Sequence, residues 1–408
     1  MTGKFLLPGL VAVTIMSCAS NQPATQTAAA TSNQTTPAPQ PSDTTTQPQK
    51  DVTQSVPSAP SSSTSPASPV QPAPKTNLKT DQHVLLFPTN AVFDATSQQW
   101  KLDIHGWVYE PEPGSVWRNS LIKSLAYFIG AQKGTPDGDR FEQRSAMFLV
   151  DNKSNRTIVL KAKQQHFSSP DTGDNGHFEF NASMLPGKTQ CKDWLSVQVN
   201  TKTGDNRQLG GHIQCLKAEG ISVISDIDDT IKDSHVLDKK KLLKKTFLKE
   251  FQPVKGMPEI YRHWYSKGYR FHYVSSSPWQ LYPVLNEFID KQSYPQGSMH
   301  LKLIRVKDSS IFNLLATPEE GKVPTITKLL TTYPKRRFIL VGDSGERDAN
   351  IYADIAKRYP GRIVKIYIRD VKGDKGSVEK IFAGLPKNQW TVFSNPTEIL
   401  SKQALLNP

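Results

Sequence analysis

Ten residues near the middle constrain this chain most: Ile221-Ser222-Val223-Ile224-Ser225-Asp226-Ile227-Asp228-Asp229-Thr230. A β-branched apolar run stops there in a cluster of carboxylates. The pattern reads as a buried parallel strand that delivers acidic side chains to the carboxyl edge of an α/β sheet, where such sheets build their sites.

Beyond Gly220 the hydrophobic spacing switches repeatedly between strand and helix. Helices over 238–251, 258–267, 280–291, 324–333 and 350–359 alternate with strands over 269–274, 299–304, 337–341 and 362–368. This predicts an α/β domain over 220–408 with a doubly wound, mainly parallel sheet covered on both faces. Three strands end in polar clusters: Asp226 with Asp228, Ser275-Ser276-Ser277, and Gly342-Asp343-Ser344-Gly345-Glu346-Arg347-Asp348. Strand ends converging on one sheet edge make a site.

A carboxylate on a turn after a strand can attack phosphorus directly if a cation neutralises the charge gathering between them. Asp226 is the expected nucleophile. Magnesium suits the task because it takes hard oxygen ligands and is usually held by one or two protein carboxylates. Asp226 and Asp343 are the expected ligand pair, with Asp228 counted beside them. Asp228 is also placed to protonate a leaving alkoxide and then to activate water. Ser275 can donate a hydrogen bond to a phosphoryl oxygen, and a lysine can bring positive charge to the same group.

The Asp-x-Asp-x-Thr string at Asp226, Asp228 and Thr230, a strand ending in Ser275, a lysine, and Gly342-Asp343 followed by Asp348 together resemble the haloacid dehalogenase superfamily. The longer strings Ser225-Asp226-Ile227-Asp228-Asp229-Thr230-Ile231-Lys232, Tyr273-Val274-Ser275-Ser276-Ser277-Pro278-Trp279-Gln280-Leu281-Tyr282 and Val341-Gly342-Asp343-Ser344-Gly345-Glu346-Arg347-Asp348 closely resemble the catalytic domain of App1-type phosphatidate phosphatases. Leu86-Phe87-Pro88-Thr89-Asn90 and Ile104-His105-Gly106-Trp107 are similar to bacterial members of that family, so the resemblance spans about residues 81–370. It implies magnesium-dependent dephosphorylation of phosphatidate to diacylglycerol through an aspartyl-phosphate. It also implies Thr230 as support for the turn and Asp348 as an acid behind the metal ligands. The family's lysine matches Lys322, about twenty residues before Gly342, with Lys328 and Lys302 as the other candidates.

Two other readings fail on spacing. A calcium loop starting at Asp226 needs Gly where Ile231 stands and Glu where Leu237 stands. Gly342-Asp343-Ser344-Gly345 has the look of a serine-protease string, but it follows a parallel strand and no histidine motif accompanies it.

Upstream, Lys4, an apolar segment and Ser17-Cys18 fit an export signal over 1–18, and Ile15-Met16-Ser17-Cys18 resembles the lipobox of bacterial lipoproteins. By that resemblance Cys18 is lipidated and the chain is exported and anchored to a bacterial membrane, the outer one facing the periplasm. Residues 19–80 are rich in Pro, Ser, Thr, Gln and Ala. Such a stretch buries too little to offset its ordering entropy, so a disordered tether is expected. Residues 81–219 show short alternating runs at 83–88, 100–109, 146–150, 156–160, 177–180 and 194–199, with a helical piece at 117–130. These predict an antiparallel, β-sandwich-like domain. Its protein partner is left open. Cys191 and Cys215 are available to pair in an oxidising compartment, though spacing supplies no geometry. His105 reads as a structural histidine, and the acidic turn 169–177 as a hairpin turn rather than a calcium loop.

A formal net charge of +13 favours an anionic partner. Nucleic acid is disfavoured, because the chain carries no aromatic-plus-basic RNA motif and is expected to be exported. Only a modest insertion separates the first two motifs, which suits a head group presented by a membrane. Within it Asp238-Lys239-Lys240-Lys241-Leu242-Leu243-Lys244-Lys245 fits either an anionic bilayer surface or an ordinary solvated face. The expected function is a magnesium-dependent phosphatase acting on phosphatidate, an anionic phospholipid, at a membrane surface. The alternatives are a general periplasmic phosphomonoesterase and a non-catalytic lipoprotein that binds anionic lipid.

Overall fold

A computed structural model describes residues 76–111, 116–185, 191–304 and 319–400. The export segment with Cys18, and the tether up to residue 75, lie outside the described residues. All described residues fall in one compact unit, Val70–Pro408. Thr76 and Leu78 are already buried, and the Thr76 N–H reaches the Asn200 carbonyl, so the packed body includes residues upstream of the expected boundary at Asp81.

The first half comprises β1 (His83–Leu86), β2 (Thr89–Asp94), β3 (Gln99–Glu110), α1 (Val116–Ile129), α2 (Pro136–Ala146), β4 (Asp151–Asn152), β5 (Val159–Ala162), β6 (Gln165–Ser168), β7 (His177–Met184), β8 (Trp194–Val199) and β9 (Gly210–Leu216). The strands form one hydrogen-bonded sheet rather than the two separate sheets expected. The reason is the length of β3. It pairs with β1 and β2 end to end along one edge, and with β7 and β4 along the other. One pair, β2 with β9, is parallel; the other pairs are antiparallel. Leu102, Ile104, Leu160, Val197 and Ile213 meet in this sheet's own core. Cys191 and Cys215 are disulfide-bonded with Cα atoms 6.0 Å apart, tying the approach to β8 to the end of β9.

The strand expected over 146–150 is instead the turn that closes α2, with Phe148 N–H on the Ser145 carbonyl and Leu149 N–H on the Ala146 carbonyl. The start signal for α2 is local: Thr135 accepts the Gly138 N–H through its side chain and Pro136 fixes the first turn. A single large apolar residue, Phe141, faces the core from this helix, so its hydrophobic period is faint.

The second half contains β10 (Gly220–Ser225), α3 (Lys239–Phe247), α4 (Met257–Ser266), β11 (Arg270–Pro278), α5 (Tyr282–Lys291), β12 (Gly297–Lys302), α6 (Glu319–Thr332), β13 (Arg336–Asp343), α7 (Asp348–Arg358), β14 (Ile363–Arg369), α8 (Lys375–Ile381), β15 (Trp390–Phe393) and α9 (Thr397–Leu400). Its six strands are all parallel, in the order β12-β11-β10-β13-β14-β15. Alternate side chains serve opposite faces. Val223, Phe271, Ile339 and Val341 pack with α3, α4 and α5, whereas Ile224, Val274, Phe338 and Leu340 pack with α6, α7 and α8. Helix α4 shows the period that drives this, burying Met257, Ile260, Tyr261 and Trp264. The chain reverses its direction of strand addition between β10 and β13, so the sheet's crevice opens at their carboxyl ends.

The two halves share a core. The Phe87 ring lies 4.0 Å from Trp279 and 5.1 Å from Tyr282, and His105 meets Trp279 edge-on at 4.6 Å. Trp279 follows Pro278 directly, so the β domain braces the loop that leaves β11. Gln214 donates to the Phe271 carbonyl at 3.1 Å and Met299 N–H to the Pro88 carbonyl at 2.9 Å, fixing the seam. Phe87→Ala empties the centre of this cluster and is expected to cost about 3–5 kcal/mol, the usual range for removing a buried aromatic. Chemical denaturation of the body, residues 70–408, checks this; a loss below about 1 kcal/mol would show the halves to be independent.

Candidate active site

Strand β10 ends at Ser225, and the chain delivers Asp226 into the crevice with only 1% of its surface exposed. Its backbone N–H continues the ladder to the Val341 carbonyl at 2.9 Å. Thr230, fully buried, donates to Asp226 Oδ2 at 3.0 Å and fixes the carboxylate. Asp226 Oδ1 lies 3.0 Å from Lys322 Nζ, close but without hydrogen-bond alignment.

Of the candidate lysines, Lys322 is the one that stands beside Asp226. Its Nζ, 2% exposed as a side chain, also reaches Glu346 Oε2 at 2.8 Å and Asp348 Oδ1 at 2.6 Å. Lys328 instead points outward to Asp103 at 3.6 Å. Burial on its own would lower the Lys322 pKa, but the charges of Asp226, Asp348 and Glu346 reverse that and hold it well above its usual value.

Asp343, at the tip of β13, accepts the N–H groups of Gly345 at 2.6 Å and Glu346 at 3.2 Å through Oδ1, while Oδ2 is buried with no hydrogen-bond partner. Asp348 accepts the Asp343 N–H at 3.4 Å, and a Cβ on Gly342 would lie 2.3 Å from Asp348 Oδ2. Glycine is therefore required between strand and acid. Carboxylate oxygens of Asp226, Asp343 and Asp348 lie within 4.8 Å of one another. Burial pushes Asp226 and Asp343 well above the usual carboxylate range, and the neighbouring acids push in the same direction. Glu346 is raised too, first by burial. One lysine thus faces four carboxyl groups.

That imbalance, with the orphaned Oδ1 of Asp226 and Oδ2 of Asp343, fits a divalent cation bound by hard oxygens. Without the cation, protons must take up the excess charge.

The sequence reading counts Asp228 among the metal ligands beside Asp226 and Asp343. Its carboxylate is occupied elsewhere, by Lys232 Nζ at 2.6 Å, Ser234 Oγ at 2.7 Å and Ser277 Oγ at 2.8 Å, and it is not in the acidic trio. Burial, the largest influence, raises its pKa, but Lys232 and these hydrogen bonds together outweigh burial and hold it below the usual value. These contacts fix the orientation of the Asp228 carboxylate. Ser275 is buried at the end of β11 and accepts the Ser277 N–H at 3.1 Å, beside the hydroxyl that holds Asp228. Asp229 adopts the left-handed region, with φ 54°, and its carboxylate takes the N–H groups of Ser234, His235 and Val236. It shapes the loop and leaves the chemistry to its neighbours.

Lys232, Ser234, Ser277 and Glu346 were not singled out from sequence. Lys232 and Ser277 stand inside the quoted strings, and four-residue spacing from Asp228 was the one available signal for Lys232. The cleft of about 1060 Å³ between α7, α8 and β15 contains none of these groups.

Known proteins share this arrangement in part. Residues 221–370 match the catalytic domain of phosphatidate phosphatase APP1. That span contains Asp226, Asp228, Ser275, Lys322, Asp343 and Asp348. Phosphatidate phosphatase APP1 of Saccharomyces cerevisiae is 35% identical over 154 residues, 37% of this chain and 26% of its own length. An uncharacterized protein of Schizosaccharomyces pombe is 31% identical over 278 residues, 64% of this chain and 44% of its own. The chain spans less than half the length of either relative. The matches support a phosphatase, and the site's chemistry agrees with a divalent metal.

The raised carboxyls give the metal-free protein a definite pH response. A folded-state pKa above the unfolded value means more protons bound when folded, so that stability is present at low pH and is lost as pH rises through the raised values. In EDTA the melting temperature is expected to fall between pH 5 and pH 8. Millimolar Mg²⁺ or Mn²⁺ restores it at pH 8, and Asp343→Asn removes the restoration and reduces the fall, to which Asp226 and Glu346 still contribute. A melting temperature indifferent to cations at pH 8 would contradict the metal site.

Proposed function

We propose that this chain is a magnesium-dependent phosphatase that hydrolyses phosphatidate to diacylglycerol and phosphate on a haloacid dehalogenase-like domain. The observation that carries the reading is the group of Asp226, Asp343 and Asp348 on one buried lysine, within the span that matches the phosphatidate phosphatase catalytic domain. Asp226 and Asp343 would hold the ion, which would neutralise charge and keep ionised a buried carboxyl that otherwise prefers a proton. Asp226 attacks phosphorus, and the bond to the diacylglycerol oxygen breaks as the aspartyl-phosphate forms. Asp228 relays the proton of the monoanionic phosphate to the leaving alkoxide. In the second step Asp228 takes a proton from water, the hydroxide displaces Asp226 from phosphorus, and that proton leaves with the phosphate. Thr230 and Lys322 keep the nucleophile aimed, and Ser275 donates to a phosphoryl oxygen.

The lipobox-like segment supports an exported chain held at the bacterial outer membrane through lipidated Cys18, with residues 19–75 as a tether. No described helix is long and apolar enough to cross a membrane.

Residues 70–408 are expected to release phosphate from phosphatidate in mixed micelles. EDTA abolishes the release, and Asp226→Asn lowers it by at least about 10³-fold, the scale for losing a nucleophile, without unfolding the protein. Cys18→Ser in the full chain moves it out of the membrane fraction. Equal rates on soluble phosphomonoesters would replace the lipid assignment with a general phosphomonoesterase; metal-independent turnover would end the mechanism.

A further inference from the structure

The helical hairpin α1–α2 is an insertion between β3 and β4, and the chemistry above does not use it. It packs on α3: Arg144 donates to the Thr246 carbonyl at 2.6 Å and to the Lys249 carbonyl at 2.7 Å, satisfying the end of that helix. Helix α1 buries Ile122, Leu125 and Ile129, which turns its other side outward. At its tip Tyr127 is 92% exposed and Phe128 39% exposed. Lys240 Nζ of α3 sits 5.3 Å over the Phe128 ring, so the aromatic tip and the basic helix form one surface.

Helix α3 divides cleanly. Leu242, Leu243, Thr246 and Phe247 are buried, and Lys241, Lys245 and Lys249 pair with Asp238, Asp233 and Asp137. Lys239, Lys240 and Lys244 have no ion-pair partner among the described residues, and Lys239 and Lys240 are exposed. Leu237, 56% exposed, precedes the helix. Only two residues separate it from Ser234, which holds Asp228, so their Cα atoms are at most about 11 Å apart. Asp229 locks the intervening backbone.

We propose that Tyr127, Phe128 and Leu237, with Lys239, Lys240 and Lys244, form a docking face for an anionic phospholipid bilayer. Apolar and aromatic side chains enter the interfacial layer while the lysines meet the head groups. The face lies beside the catalytic loop, so a docked bilayer presents phosphate-bearing head groups at the site without lifting the lipid out. The proposal rests on the phosphatase reading for its purpose, but its test does not.

Residues 70–408 are mixed with vesicles of phosphatidylcholine alone or with one-fifth phosphatidylserine, and the bound fraction is measured by sedimentation. The protein is expected to bind the anionic vesicles and to leave them in high salt. Lys239→Gln, Lys240→Gln and Lys244→Gln together weaken binding on the order of 100-fold, from about fivefold per lysine. Tyr127→Ser with Phe128→Ser weakens it at least several-fold. Both sets slow hydrolysis of vesicle-borne phosphatidate at low lipid and leave a soluble phosphomonoester unaffected. Unchanged vesicle binding in both sets would overturn the docking face even if phosphatidate is hydrolysed in micelles. Loss of vesicle binding with no phosphatase activity in any form would sustain the face and overturn the phosphatase. A wild-type dimer dissolved by the same substitutions, with no vesicle binding, would assign the surface to a second copy of the chain.

Discussion

Everything at this sheet edge depends on one buried ammonium. Lys322 stands among Asp226, Glu346 and Asp348, and a lysine so placed is stable only because those charges offset the desolvation that would otherwise neutralise it. It cannot balance four carboxyl groups. The remaining negative charge, concentrated where strand order reverses between β10 and β13, fits a divalent cation held by hard oxygens.

A second charge system beside it is separate in kind. Lys232 belongs to Asp228, and together with Ser234 and Ser277 it keeps that acid ionised and fixed. Two aspartates two residues apart thus receive opposite environments, one raised and one lowered. Separate roles for neighbouring carboxyls follow from that difference. The β domain enters through Phe87 and His105, which hold Trp279 just beyond the end of β11, the strand carrying Ser275 and Ser277. Trp279 and Tyr282 are buried in this packing.

What could be read in the sequence follows how local the cause is. The parallel strands were legible because a strand buried on both faces is a continuous apolar run, and β10, β11 and β13 each advertise their ends with acids or serines. Asp226 and Asp343 could be proposed from those ends, and Lys322 from the family resemblance. The contacts that fix Asp228 could not, because they depend on Lys232 and Ser277 arriving from a loop and from another strand. Helix α2 was missed because one phenylalanine does not make a period, and its end was taken for a strand. The single sheet of the first half was hidden as well, since the double pairing of each β3 edge is a tertiary fact.

The central claim is that Asp226 bonds covalently to phosphorus. Quenching residues 70–408 during turnover of phosphatidate with Mg²⁺ and reducing with borohydride converts a phosphorylated aspartate to homoserine, which peptide mass analysis then locates. The account predicts homoserine at position 226 alone. Homoserine at 228 or 343, or steady turnover with none trapped at 226, would contradict it.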